Sequence, residues 1–274
     1  MIGLQPTRQF TFPVIAECVS PDVFEGKTIN ELGELKIYEG NRQRKLSELF
    51  NIEEVKGQSS SESTVIMIDG DVSKVRRIGS HMKSGEITIN GDAGMHLGEE
   101  MKGGKITVHG NVEAWAGSMM RGGTIEIHGN AGDYLAAPYR GSTRGMHGGR
   151  ITVYGNVGNE TGASMRKGTI RVYGNAGQFT GFRMHDGTIY IQNDCEARVG
   201  ACMVEGKIIV GGCLKSVLPT FTIDSLKPRI KIEENETAEG PFYLFLGDLA
   251  KCGNGKLYVA KDKNPHLSRY EKLL

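Results

Sequence analysis

Histidine and cysteine are the side chains in this sequence best suited to hold a metal or act as nucleophiles, and their spacing limits what they can do. His109 and His128 lie 19 residues apart, each directly before Gly-Asn. Asp69, Asn90, Tyr154, Tyr173 and Gln192 occupy the equivalent place elsewhere. A two-histidine metal centre there lacks a third ligand, whereas a stacked ladder of polar and aromatic side chains needs none. Cys195 and Cys202 are seven residues apart and Cys213 is eleven further on. Zinc and iron–sulfur sites use closer pairs, and in register Cys195 and Cys202 read as small packing residues. An Asn/Asp column (Asp71, Asp92, Asn111, Asn130, Asn156, Asn175, Asp194) reads as a turn ladder, because the Gly-Gly-x-Gly-x-Asp signature of calcium-binding β-rolls is missing. No nucleophile–base pairing, Walker loop or Gly-x-Gly-x-x-Gly opening a helix is present. The sequence therefore assigns no catalytic, cofactor-binding or metal-ligating residue.

The frame that positions these residues is a repeat. Met82, Met101, Met120, Met146, Met165, Met184 and Met203 fall 19 residues apart, with one step of 26. Each sits in Gly-x-x-Met-x-x-Gly-x-Ile-x-Ile/Val, as in Gly79-x-x-Met82-x-x-Gly85-x-Ile87-x-Ile89. A period near 20 residues signals a solenoid. The β-branched pair two apart marks one face of a short strand, and the following Gly-Asn/Asp suggests a positive-φ corner. One such strand cannot bury its apolar face alone, so successive strands must stack in parallel. The expected fold is all-β: a right-handed parallel β-helix of about seven to eight coils, its handedness taken from the usual sense of parallel crossovers. The methionines then form a buried ladder filling the interior; a soft-metal site is the weaker alternative. The repeat domain spans 65–213. Irregular segments, 1–64 and 214–274, should cap its ends or hold partners, since open ends would expose sheet edges and apolar interior. Val14–Ala16, Leu35–Tyr38 and Leu257–Val259 read as strands, Leu46–Phe50 as a short helix, and 57–63 as a Ser-rich loop.

Bulk properties narrow the partners. A formal charge of +1 gives no reason to expect nucleic acid or an anionic membrane. The densest apolar run, Phe242–Leu246, is far short of the ~20 residues that span a bilayer. The start, Met1–Arg8, lacks the basic-then-apolar pattern of a signal peptide. Five scattered cysteines, an odd number, suit a reducing compartment, so a cytoplasmic location is expected.

Two features suggest docking. The residue after each methionine is Lys83, Lys102, Arg121, His147, Arg166, His185 and then Val204, a basic stripe that suits an acidic partner surface or simply a solvated row. The long repeat places its extra seven residues within Tyr134–Arg144, with Tyr134, Tyr139, Arg140 and Arg144 as candidate anchors. On this reading Thr143 replaces the leading glycine of that repeat, and Leu135–Arg140 is dispensable for folding.

The seven Met-centred repeats resemble those of the C subunit of formylmethanofuran dehydrogenase. Gly240-Pro241-Phe242-Tyr243-Leu244-Phe245-Leu246-Gly247-Asp248 and Gly255–Pro265 also resemble the methanogen form, while Asn193 departs from the pattern by replacing a turn glycine. The resemblance implies a non-catalytic scaffold in a complex that reduces carbon dioxide with methanofuran to formylmethanofuran, the first step of methanogenesis. It implies amidohydrolase-like, pterin-binding and ferredoxin-like partners, and places the tungsten- or molybdenum-pterin, iron–sulfur clusters and zinc on them, with no cofactor on this chain. A free-standing β-helix like that ending the glutamate synthase large chain, or an anion-binding β-helical module, are the alternatives.

Overall fold

The structure, a computed structural model, describes residues 1–55, 63–233 and 236–274; of the expected Ser-rich loop only Ser63 lies among them. The N-terminal segment supplies β1 (Ile2–Pro6), β2 (Val14–Ile15), β3 (Lys36–Glu39), β4 (Arg42–Lys45) and β5 (Phe50–Glu54), with short helices α1 (Pro21–Phe24), α2 (Ile29–Gly33) and α3 (Leu46–Leu49). The repeats supply β6 (Val65–Asp69), β7 (Val75–Arg76), β8 (Glu86–Asn90), β9 (Lys105–Val108), β10 (Thr124–Ile127), β11 (Arg150–Val153), β12 (Thr169–Val172), β13 (Thr188–Ile191) and β14 (Lys207–Val210). The C-terminal segment adds β15 (Thr222–Glu233), β16 (Glu236–Gly247) and β17 (Gly255–Ala260).

Thirteen strands form one open mixed sheet in the order β15-β16-β17-β14-β13-β12-β11-β10-β9-β8-β6-β1-β5. Within this sheet β6 and β8 to β14 pair in parallel with the strand one repeat away, so Ile87 faces Ile106, then Ile125, Ile151, Ile170, Ile189 and Ile208, while β7 pairs with β2 in a separate four-stranded sheet, β4-β3-β2-β7. Both ends of the chain extend this column. Leu4 on β1 lies beside Ile68, and Leu257 and Val259 on β17 lie beside Ile208 and Val210. A second parallel ladder of single bridges runs through Val72, Ala93, Val112, Ala131, Val157, Ala176, Cys195 and Leu214. The β-branched columns and all seven methionines are buried between these ladders.

The methionine and glycine columns are mechanically coupled. A β-carbon added to Gly123 would lie 2.7 Å from Met101 Cε, and one on Gly149 would lie 2.8 Å from Met120 Cε. The same relation links Met82 to Gly104, Met146 to Gly168, Met165 to Gly187 and Met184 to Gly206. Each thioether methyl thus fills the place that a side chain would need on the next repeat. These glycines also have φ between +80° and +106°, a second reason for their identity.

The Gly-Asn/Asp corner corrects the expectation from sequence. Gly70, at the first corner, has the expected positive φ (+127°), but Gly91, Gly110, Gly129, Gly155 and Gly174 are absent from the positive-φ residues, as is Asn193. Close stacking is what excludes a side chain: a β-carbon on Gly129 would sit 2.5 Å from the Gly110 carbonyl oxygen. The residue that follows makes the corner cooperative. The side-chain oxygen of Asn111 accepts from the backbone N–H of Asn130 (2.9 Å), that of Asn130 from Asn156 (2.8 Å), and that of Asn156 from Asn175 (2.8 Å).

Left-handed backbone falls instead on two columns of ordinary residues. Arg77, His96, Trp115, Tyr134, Glu160, Phe179 and Arg198 form one; His81, Glu100, Met119, Ser164, Arg183 and Cys202 form the other. Each costs about 1–2 kcal/mol. Most also donate their N–H to a neighbouring repeat, as Trp115 does to Asp133 O (3.0 Å), a gain of about 1 kcal/mol each, while Cys202 donates to the Asp248 carboxylate (2.8 Å). The conformation therefore depends on core burial, worth about 1.5–3 kcal/mol per large side chain, for the remainder.

The hairpin of β15 and β16 does more than extend the sheet edge. Ile230, Ile232 and Phe242 pack against Ile209, with Tyr190 and Tyr258, on the outer face of β13, β14 and β17. Near its tip Glu233 pairs with Arg150 (2.7 Å) and Glu236 pairs with Arg171.

Two variants test these couplings by chemical denaturation. Gly123→Ala should lose about 2–5 kcal/mol, combining left-handed strain with overpacking. Combined with Met101→Ala it should lose less than the two single losses summed; strict additivity would disprove the coupling. Asn130→Ala should cost about 1 kcal/mol, while Asn130→Asp, which keeps the acceptor, should cost less; equal losses would rule out the ladder's contribution.

Candidate partner-docking face

The extended repeat lies beside an aromatic ladder that the left-handed columns create. Successive residues of the first column project from successive repeats, so their side chains meet face to face. His96 stacks on Trp115 with ring centroids 5.4 Å apart and planes 3° from parallel, and Trp115 stacks on Tyr134 at 4.5 Å and 11°. Such contacts contribute about 0.5–1.5 kcal/mol each beyond their buried area.

Backbone pairing locates the insertion. Ala136 donates to Ala116 O (2.8 Å) just as Gly117 donates to Leu97 O (2.8 Å), and Met146 returns to Ala136 O (3.0 Å). Ala136, with φ of 60°, therefore takes the leading glycine's place. Thr143 does not, and the extra residues are 138–144. Leu135 and Ala136 are fully buried, so removal of Leu135–Arg140 would cut into the core. Tyr134 likewise belongs to the regular ladder and is half-buried, while Tyr139, Arg140 and Arg144 of the inserted loop are exposed. Tyr139 folds back to lie 5.4 Å from the His96 ring and 6.5 Å from Trp115.

A cavity of about 290 Å³ opens under this loop, lined by Trp115, Tyr134, Tyr139, Arg140, Glu160 and Arg183. Its walls continue onto Phe182, over which the Arg183 guanidinium lies at 4.9 Å, and Phe179, covered by Arg198 at 5.1 Å. At the other end Glu99 is buried 3.3 Å from Arg77 Nε and 3.4 Å from His96 Nδ1. Burial alone would raise the Glu99 carboxyl, but the neighbouring His96, Arg77 and His81 outweigh it and hold it below the usual range. Arg77 also pairs with Glu17 of the N-terminal segment, tying this face to residues outside the repeats.

The basic stripe is a separate column one residue past the buried methionines. Lys83, Lys102 and Arg121 are exposed; His147, Arg166 and His185 are half-buried. Arg121 pairs with Glu100 at 3.0 Å. Nδ1 of His147 and His185 and Nε of Arg166 are buried without a hydrogen-bond partner.

The histidine column forms a continuous stack: His109–His128 at 4.9 Å, His128–Tyr154 at 4.9 Å and Tyr154–Tyr173 at 5.1 Å. Among the described residues no group of three or more His, Cys, Asp or Glu could hold a metal ion. Cys195 is buried within the second ladder, and burial pushes its thiol up to about 12. Cys202 occupies a left-handed corner in register with Ser164 and Met119. Sequence reading missed His96, Trp115, Phe182 and Arg183; the column five residues before each methionine would have revealed the first two.

No protein-family model matches the chain. A curated relative, the C subunit of the tungsten-containing formylmethanofuran dehydrogenase 2 of Methanococcus maripaludis, is 48% identical over 261 residues, 93% of this chain and 94% of that protein. The C subunit of the molybdenum-containing formylmethanofuran dehydrogenase 1 of Methanothermobacter marburgensis is 49% identical over 94 residues, 34% of this chain. That match spans only about a fifth of the relative's length, 22%. A solved structure, the formyltransferase/hydrolase complex of Methylorubrum extorquens in complex with methylofuran, contains a chain that superimposes with a TM-score of 0.83 at 28% identity, covering 94% of this chain and 99% of that one. The near-complete overlap with the Methanococcus relative shows that this chain belongs to the family of formylmethanofuran dehydrogenase C subunits.

Proposed function

We propose that this chain is a non-catalytic scaffold of a cytoplasmic formylmethanofuran dehydrogenase complex, which reduces carbon dioxide with methanofuran to formylmethanofuran. The observation that carries this reading is the 48% identity over nearly the whole of both chains. The likeness to a chain of a multi-subunit formyltransferase/hydrolase complex supports an assembled role. On this reading the amidohydrolase-like, pterin-binding and ferredoxin-like partners carry the tungsten- or molybdenum-pterin, the iron–sulfur clusters and the zinc. No helix among the described residues is long and apolar enough to cross a membrane, which fits such a location.

The scaffold is a right-handed parallel β-helix with segments 1–64 and 214–274 as its caps. Two parallel ladders one repeat apart support the coil path, and the usual sense of parallel crossovers supports its hand. The face formed by Trp115, Tyr134, Tyr139 and Arg140 is the partner grip. Rigid aromatics and arginine beside a cavity are the residue types that dominate binding energy at interfaces. The basic stripe of Lys83, Lys102, Arg121 and Arg166 serves as a second, electrostatic edge.

Native purification tests the assignment. The chain should co-elute with pterin and iron–sulfur subunits, with tungsten or molybdenum in the same fraction; a glutaminase or flavoprotein partner in their place would overturn it. Joining Ala137 directly to Gly145 restores an ordinary repeat length, so a chain lacking residues 138–144 should melt within a few degrees of the parent yet lose one of its partners. Unchanged recovery of every partner would refute the grip.

A further inference from the structure

A second cavity lies at the C-terminal end of the repeats. Where β15 folds over the outer face of the sheet, a groove of about 680 Å³ opens against the starts of β13, β14 and β17. Thr188, Lys207 and Lys256 are register partners on its floor. Lys227, Arg229 and Lys231 line it from β15. Five cations thus converge against two carboxylates, Asp186 and Glu205, an excess of three positive charges (five minus two).

This imbalance contrasts with neighbouring cations on the same sheet. Elsewhere on the sheet face, Lys105 is neutralised by Glu126 at 2.8 Å and Arg150 by Glu233 at 2.7 Å. None of the five groove cations has a carboxylate within ion-pair distance among the described residues. Lys207 Nζ donates instead to two neutral acceptors, the carbonyl oxygens of Lys231 (2.5 Å) and Ile232 (3.2 Å). Burial, then repulsion from Lys231 and Lys256, holds its ammonium below the ordinary lysine range, against a weaker pull from Glu233. Like charges at adjacent register positions are destabilising, and a concave wall of low dielectric strengthens their field. A ligand that supplied several negative charges would relieve both costs. The volume falls within the ~300–1,000 Å³ typical of small-molecule sites.

We propose that this groove binds a small, multiply charged oxyanion, either a phosphate ester or an oligocarboxylate, with Lys207 and Lys256 on its floor and Lys227, Arg229 and Lys231 along its wall.

Calorimetric titration of the full 274-residue chain with inorganic pyrophosphate and, separately, with citrate tests this. At least one probe should bind saturably at one site and more weakly as salt is raised. Tighter pyrophosphate binding identifies the phosphate class, and tighter citrate binding the carboxylate class. Lys207→Gln with Lys256→Gln should weaken binding at least tenfold. Lys83→Gln with Lys102→Gln, the same charge change on the other basic column, should leave it within about twofold. Three results would overturn the proposal: no saturable heat with either probe, equal weakening in both double variants, or protection of Lys207 and Lys256 from acetylation only when an acidic partner chain is present.

Discussion

Each repeat satisfies its backbone on the repeat beside it, and this dependence governs nearly everything else in the molecule. The N–H groups of the strands, of the Asn/Asp corner and of most of the left-handed residues reach acceptors one repeat away. An isolated repeat would leave these donors, and the β-branched columns, without partners. Stability is therefore a property of neighbours, and any residue that sets the distance between repeats acts on both sides at once. The glycine column permits that distance: a β-carbon on Gly123 would meet both the Met101 methyl (2.7 Å) and the Gly104 carbonyl oxygen (2.8 Å) of the preceding repeat.

The same stacking explains why function concentrates on side-chain columns. Residues one repeat apart are forced into register, so a single aromatic becomes a ladder as soon as its neighbours match it. His96, Trp115 and Tyr134 produce a rigid aromatic edge, and His109, His128, Tyr154 and Tyr173 produce another. A ladder tolerates one interruption where the backbone can leave and return without losing its pairing. Residues 138–144 do this between Ala137 and Gly145, which stand where Ser118 and Met119 stand one repeat earlier. The cost of the excursion falls on solvent-exposed residues and not on the core.

The ends of the stack meet the same requirement differently. At one end β1 supplies a parallel partner for β6 and β5 closes the edge in antiparallel sense. At the other, β17 continues the parallel column, and the β15–β16 hairpin both ends the sheet and folds across its outer face. That fold-over brings β15 lysines within reach of lysines on the strand starts, which repeat geometry alone would have kept apart.

The period, the buried columns, the Asn/Asp ladder and the stacking of His109 on His128 were legible in the sequence, because in-register stacking turns chain spacing directly into spatial contact. The packing role of Cys195 followed from the same register. Where spacing is broken, the sequence located the extra residues within Tyr134–Arg144 but misjudged the detail: it took Leu135–Arg140 as dispensable and gave the leading-glycine role to Thr143, because an alanine in left-handed backbone looks like any other alanine. It also attributed the corner glycines to positive φ, which holds at Gly70, whereas at later corners close approach of a neighbouring carbonyl, as of Gly110 to Gly129, is the constraint. Local propensity carries no information about how near a second backbone passes. By itself the sequence determined the repeat, its interior and its family. Only the tertiary structure decided which surface columns meet the inserted loop, and that the C-terminal hairpin closes a cationic groove, because both depend on long-range folding of segments that share no period with the repeats.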